Sequence, residues 1–320
     1  MACTSKRINC MSIHKFIVVA QPYSVRSGGV MVLHDLCEAL NRNGYQAGIV
    51  FMHDGNAAEQ NFKYALSNDP AFYRNNGDYH YYSNEAEARD VFENGVVIYP
   101  DLILGNPLGA RNVVRYVLNF NSLNFSGDFI LSYSKVYSKY SNFVLSKPFH
   151  HACFSDEGTQ TWSERTLDLT YIGKGSGFTD CFRINNTILV ERDYPRDKEQ
   201  LALLLRQCRF FFTWDCVSAT NYDAVMCGAI PVLLHDKQIN RKHVNDMEVG
   251  AFPETSFISI EELPFGLQFD VKKINQNVLE FKKNYFNLIN SWDASVKLFA
   301  EYYLQLLSVN TSFERLAPMS

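Results

Sequence analysis

The chain has 320 residues, 47% of them hydrophobic, and 30 Lys and Arg against 34 Asp and Glu give a net charge of −4. That length and apolar content suffice for two domains with sizeable cores, and the near-neutral charge removes any electrostatic case for nucleic acid as the main partner. No apolar run approaches the roughly 20 residues of a membrane span, and residues 1–14 lack the apolar core of a signal peptide, so the expected location is cytoplasmic.

Lys15–Ala20 reads as a buried strand, followed by a polar loop from Gln21 that ends in Ser27-Gly28-Gly29. Apolar residues then recur at Val32, Leu33, Leu36 and Leu40, the helical period, over Val30–Asn43, with Gly44 as the stop. Ala47–Met52 is the next strand, which completes a βαβ unit. A Gly-x-Gly-x-x-Gly fingerprint is missing, so Gly28 and Gly29 read either as a tight turn or as backbone brought close to a ligand. The polar, tyrosine-rich stretch Asn56–Asn94 reads as cover over the core or as stacking surface for a sugar. Gly95–Pro100 is strand-like, Gly105–Ala110 is a turn-rich loop containing Asn106, and Arg111 and Arg115 precede further strands at Tyr116–Asn119 and Phe129–Tyr133. Short strands alternating with helices imply a doubly wound domain.

Lys147–His151 reads as a linker, after which a second alternation begins. The strand Thr166–Ile172 runs into Gly173-Lys174-Gly175-Ser176-Gly177. A glycine-flanked lysine at a strand's carboxyl end brings an ammonium and bare backbone amides to a phosphate; the bland alternative is a solvent-exposed turn. Asn186–Val190 is the next strand, Glu191–Arg196 its exit loop, and Asp197–Gln207 a helix with Leu201, Leu204 and Leu205 on one face. Arg209–Trp214 then forms a strand that delivers Asp215 at its carboxyl end. Ser218, Thr220 and Asn221 are N-cap types for a short helix with Asp223 in its first turn and a stop at Gly228, before the strand Ile230–Leu234. Two acids so placed suit a polyhydroxylated ligand, with the helix N-terminus beside them for phosphate; alternatively Asp215 is a loop cap and Asp223 a favourable helix acid. His235–His243 reads as a polar cap, Phe257–Ile260 as a last strand, and Val271–Leu307 carries helical periodicity, also compatible with a membrane-surface helix.

Eight cysteines, Cys3, Cys10, Cys37, Cys153, Cys181, Cys208, Cys216 and Cys227, form no Cys-x-x-Cys pair. They read as buried free thiols of a reducing compartment and not as a disulfide framework or zinc site. Met11 is a second candidate start, ahead of the first strand.

The segment Asp215-x7-Asp223, continuing as Asp223-Ala224-Val225-Met226-Cys227-Gly228-Ala229-Ile230-Pro231-Val232, resembles the Glu-x7-Glu signature of retaining GT-B glycosyltransferases, with Asp at both acid positions. Tyr171-Ile172-Gly173-Lys174-Gly175 is similar to the segment of bacterial polysaccharide glycosyltransferases whose basic residue neutralises the donor's diphosphate. The resemblance implies an α/β chain of two Rossmann-like doubly wound domains facing each other across a cleft: an extension 1–14, an acceptor domain 15–149, a nucleotide-sugar domain 150–285 and a helix 286–320 returning to the first. It implies transfer of a sugar from a nucleotide sugar to a glycan or lipid-linked glycan in surface polysaccharide or lipopolysaccharide assembly, with peripheral contact at the inner membrane face compatible with it. Asp215 and Lys174 become the catalytic candidates. Gly173, Lys174, Gly175, Arg183, Arg192, Tyr194, Ser218, Thr220, Asn221 and Asp223 become the donor side, and Gly28, Gly29 and Asn106 the acceptor side. No Asp-x-Asp is present, so no metal and no cofactor are expected, and Lys174, helix N-termini, Arg183 and Arg192 would stabilise the leaving diphosphate. A nucleotide-sugar epimerase of the same architecture and a non-catalytic sugar-nucleotide-binding subunit are the competing readings.

Overall fold

The computed structural model describes residues 15–24, 27–53, 63–66, 85–119, 125, 127–137, 139–173, 183–191, 194–215, 218–234, 257–258 and 271–314. The expectations for residues 1–14, Lys174, Gly175, Arg192, His235–His243 and most of the tyrosine-rich stretch lie outside them. The chain divides into two compact units, residues 1–145 with 291–320, and residues 146–290; sequence placed these crossings at 149 and 285. Both units are α/β with parallel sheets, the fold class expected.

In the first unit the strands are β1 (Lys15–Ala20), β2 (Gln46–His53), β3 (Lys63–Leu66), β4 (Val96–Pro100), β5 (Asn112–Val117), β6 (Phe129–Ser132) and β7 (Phe143–Val144). They lie in the order β3-β2-β1-β4-β5-β6-β7, parallel apart from the antiparallel β2–β3 edge. Phe16 to Ala20 are all fully buried, as both faces of a central parallel strand must be. Helix α1 (Gly28–Arg42) connects β1 to β2, and α2 (Glu85–Asn94) precedes β4. The helix begins at Gly28, not at Val30: the Ser27 side chain accepts from Val30 N at 3.4 Å, and this cap draws both glycines into the first turn, where N–H groups need no intrahelical partner. Strand β5 likewise begins earlier than Tyr116 and carries Arg115 inside it. That guanidinium is 1% exposed, paired with Asp128 at 2.7 Å, bonded to the Ile103 and Gly105 carbonyls, and laid over the Tyr99 ring. A buried charge survives because nearly all its donors are used.

The second unit holds β8 (Leu167–Tyr171), β9 (Ile188–Val190), β10 (Cys208–Thr213), β11 (Ile230–Leu234) and β12 (Phe257–Ile258), all parallel, in the order β12-β11-β10-β8-β9. Helices α3 (Lys198–Gln207) and α4 (Ala219–Met226) make the crossovers. Helix α4 stops at Gly228, whose φ of +79° is left-handed and where an added Cβ would lie 2.6 Å from Arg165 Nη2.

Two helices follow, α5 (Val271–Asn290) in the second unit and α6 (Trp292–Glu314) in the first. Helix α6 is fastened to the first unit by Trp292 Nε1 donating to Asp35 O at 3.4 Å, by Arg42 gripping the Asp293 carboxylate at 2.7 and 2.9 Å, and by Phe299 and Tyr303 packing on Phe129. Among the described residues no helix is long and apolar enough to cross a membrane.

Candidate functional site

Doubly wound sheets bind ligands beyond the carboxyl ends of their strands, where the strand order reverses. In the second unit that point lies between β8 and β10. The pairing of these strands continues one residue beyond them, with Trp214 N donating to Tyr171 O at 3.0 Å. Gly173 follows at φ +53°, and an added Cβ there would lie 2.7 Å from both Asp215 Oδ2 and the Tyr171 ring. Only a glycine lets this backbone rest on an acid and a ring at once.

Asp215 is 5% exposed. Its N–H donates to Thr213 Oγ1 at 3.2 Å, and its carbonyl accepts from Ser218 N at 3.1 Å and from Asn221 Nδ2 at 2.9 Å. The start of α4 is thereby locked to the end of β10. Ser218 is the N-cap, accepting from Thr220 N at 3.3 Å; its hydroxyl also lies 3.4 Å from Tyr171 Oη and 3.2 Å from Thr220 Oγ1. Asn221 is fully buried, and among the described residues its Oδ1 has no hydrogen-bond partner. Leaving such an acceptor unpaired costs about 1–3 kcal/mol.

Asp223 does not join this group. With Ser218 as cap, the acid falls in the second turn of α4, and no acid occupies the first. It is half-buried but hemmed in by protein, and desolvation pushes its carboxyl up to about 7 against the opposing pull of Lys198. Its charge is felt at Cys153, Cys227 and Tyr285. The acids that sequence spacing paired therefore have different neighbours: Gly173 for Asp215, and the α3 and α5 side of the unit for Asp223.

Other expected donor residues are placed as follows. Arg183 is exposed and donates to Thr187 O within its own loop. Tyr194 is 52% exposed in a turn closed by Glu191 N to Tyr194 O at 2.8 Å. On the first unit, Gly28 has open space where a Cβ would stand, and Gly29 faces Leu118 at 3.6 Å. The exposed Asn106 braces its own turn, its amide accepting from Tyr99 Oη and Ala110 N, both at 2.9 Å, and donating to Ala110 O at 2.7 Å. Sequence reading passed over Tyr171, whose signal is an aromatic at the last strand position before a glycine, and Thr213, which braces Asp215.

No family model matches the chain, and no curated protein matches it. Among solved structures it is similar to the glycosyltransferase SnogD from Streptomyces nogalater, at 12% identity over 90% of this chain and 99% of that one, TM-score 0.41. It is also similar to sucrose-phosphate synthase from Thermosynechococcus elongatus, at 11% identity over 92% and 100%, TM-score 0.47. A third is the catalytic domain of starch synthase IV from Arabidopsis thaliana bound to ADP and acarbose, at 11% identity over 92% and 99%, TM-score 0.43. Likeness at this level is one of outline and assigns the chain neither a reaction nor a ligand.

Proposed function

We propose that the chain is a glycosyltransferase that moves a sugar from a nucleotide-sugar donor to a glycan or lipid-linked glycan acceptor in surface polysaccharide assembly. The observation that supports this best is the Gly173 backbone laid against Asp215 and Tyr171 at the carboxyl ends of β8 and β10, immediately before the glycine-flanked Lys174. A nucleotide sugar offers a diphosphate and several hydroxyls. Bare amides after β8, the α4 N-terminus and the Lys174 ammonium suit the diphosphate and stabilise it as it departs, without a metal at the donor. Asp215 orients the donor sugar, and retention of configuration is what the resemblance to GT-B enzymes with paired acids implies. The nucleotide runs along the first turns of α4 towards α3, which brings the ribose to Asp223. The acceptor lies towards the N-terminus of α1, at Gly28 and Gly29.

Exposed apolar side chains at helical spacing on α6, Leu298, Tyr302, Leu306 and Val309, support contact with the inner membrane face that carries a lipid-linked acceptor. The separate surroundings of Asp215 and Asp223 favour a second reading, a nucleotide-sugar-binding subunit without turnover. Calorimetric titration with a panel of nucleoside diphosphates tests the site: Lys174→Ala is expected to weaken binding at least tenfold, and unchanged affinity removes Lys174 from it. Slow donor hydrolysis with transfer to a glycan supports the enzyme, whereas saturable binding with no turnover supports the subunit.

A further inference from the structure

Two side chains of one turn and a third from a distant part of the chain meet beside the N-terminus of α3. His151, Cys153 and Glu199 place a ring nitrogen, Sγ and a carboxylate oxygen within 4.8 Å of one another, and His151 Nδ1 lies 3.0 Å from Cys153 Sγ. Cys153 is half-buried and the other two are exposed, so the group is open to solvent.

The backbone that presents them is fixed independently. Phe154 N donates to His151 O at 2.9 Å to close a turn, and the His151 ring stands edge-on to buried Phe154, centroids 6.3 Å apart. Arg206 donates to Cys153 O at 2.6 Å and to Ser155 O at 3.1 Å. Glu199 and Arg206 are seven positions apart, two turns of α3, and so share a face. One helix thus pins the loop with its last turn and adds a carboxylate to it with its first. The charges facing Cys153 are those of Glu199, Asp223, Lys198 and Arg206.

A thiolate, an imidazole and a carboxylate together suit a borderline transition ion, whereas magnesium and calcium take oxygen throughout. Ligand atoms around tetrahedral zinc stand roughly 3.3–3.8 Å apart, a spacing these side chains reach by small rotations. We propose that His151, Cys153 and Glu199 bind a zinc-class divalent ion through an imidazole nitrogen, Sγ and a carboxylate oxygen, with water in the remaining position. As the metal–sulfur bond forms, the Cys153 thiol gives its proton to solvent. None of these ligands belongs to the group gathered at β8 and β10.

The test uses the full chain stripped with chelator, then titrated with Zn2+ against a chromophoric competitor and, separately, with Co2+. One zinc per chain and a near-ultraviolet thiolate-to-cobalt charge-transfer band are expected. Cys153→Ser is expected to abolish the band, and Glu199→Gln, which leaves every thiol in place, to weaken zinc binding at least tenfold; Glu157→Gln, an exposed acid of the same segment, should change neither. Circular dichroism establishes that each variant is folded, and should Cys153→Ser fail to fold, the exposed Glu199 decides. Failure of the wild-type chain to retain zinc overturns the proposal, as does affinity that survives Glu199→Gln.

Discussion

Both sheets carry glycines beyond the carboxyl end of a central strand, and they do different work. Gly28 and Gly29 occupy the first turn of α1, with nothing within 4 Å of a Cβ built at Gly28 and only Leu118, at 3.6 Å, near Gly29. Gly173 is left-handed, and its missing Cβ would lie 2.7 Å from Asp215 Oδ2 and the Tyr171 ring. A glycine pair in a sequence is thus a weak sign of close approach. A single glycine forced by both φ and crowding is a strong one, and this contrast is what supports the proposed donor site in the second unit.

The sharpest way to break this contrast is Gly173→Ala. Strain at φ +53° together with displacement of Asp215 is expected to cost about 1–3 kcal/mol in denaturant unfolding and to abolish nucleoside-diphosphate binding. A variant as stable and as tightly binding as the wild type would show that the crowding is without consequence.

Next in size is Asp223→Asn. The folded chain holds a proton on this carboxyl up to about 7, against 3.8 ordinarily, so the stability it contributes is complete below about 4 and lost as pH rises to about 7. Above that, the charged form is a net cost. With chelator present to silence the metal ligands, the variant should be more stable than wild type at pH 8 by about 1–2 kcal/mol, the full effect of such a shift being reduced by partial solvent access. Parallel stability curves between pH 4 and 8 would refute the shift.

The smallest effect belongs to Gly28→Ala. At an open helical position the substitution should be neutral or stabilising by about 0.4–1 kcal/mol, read as a shift in melting temperature. A large loss would mean that the α1 N-terminus is as confined as the β8 edge.

What the sequence revealed follows from how far its signals reach. Buried parallel strands are near-continuous apolar runs, so β1, β11 and the Phe210–Phe212 run of β10 stood out, as did the stops at Gly44 and Gly228. Asp215 at the end of a strand was legible for the same local reason, as was a helix capped by one of Ser218, Thr220 and Asn221. Strand β5 was read short because Arg115 looks like a surface residue until Asp128, Ile103 and Gly105 are folded around it. Asp223 was misplaced by part of a turn because two further cap types, Thr220 and Asn221, compete with Ser218 in the text of the sequence but not in the fold. The meeting of Glu199 with His151 and Cys153 was invisible because tertiary structure alone brings the α3 carboxylate to that turn, and cysteine spacing carries no trace of it.

The central claim, that a donor diphosphate rests beyond β8 and β10, is met most directly by hydrogen exchange followed by mass spectrometry with and without saturating nucleoside diphosphate. The account predicts slowed exchange in peptides spanning 171–177 and 215–223 and little change around Gly28 and Gly29. Protection confined to other parts of the chain, with both of those segments unaffected, would contradict it.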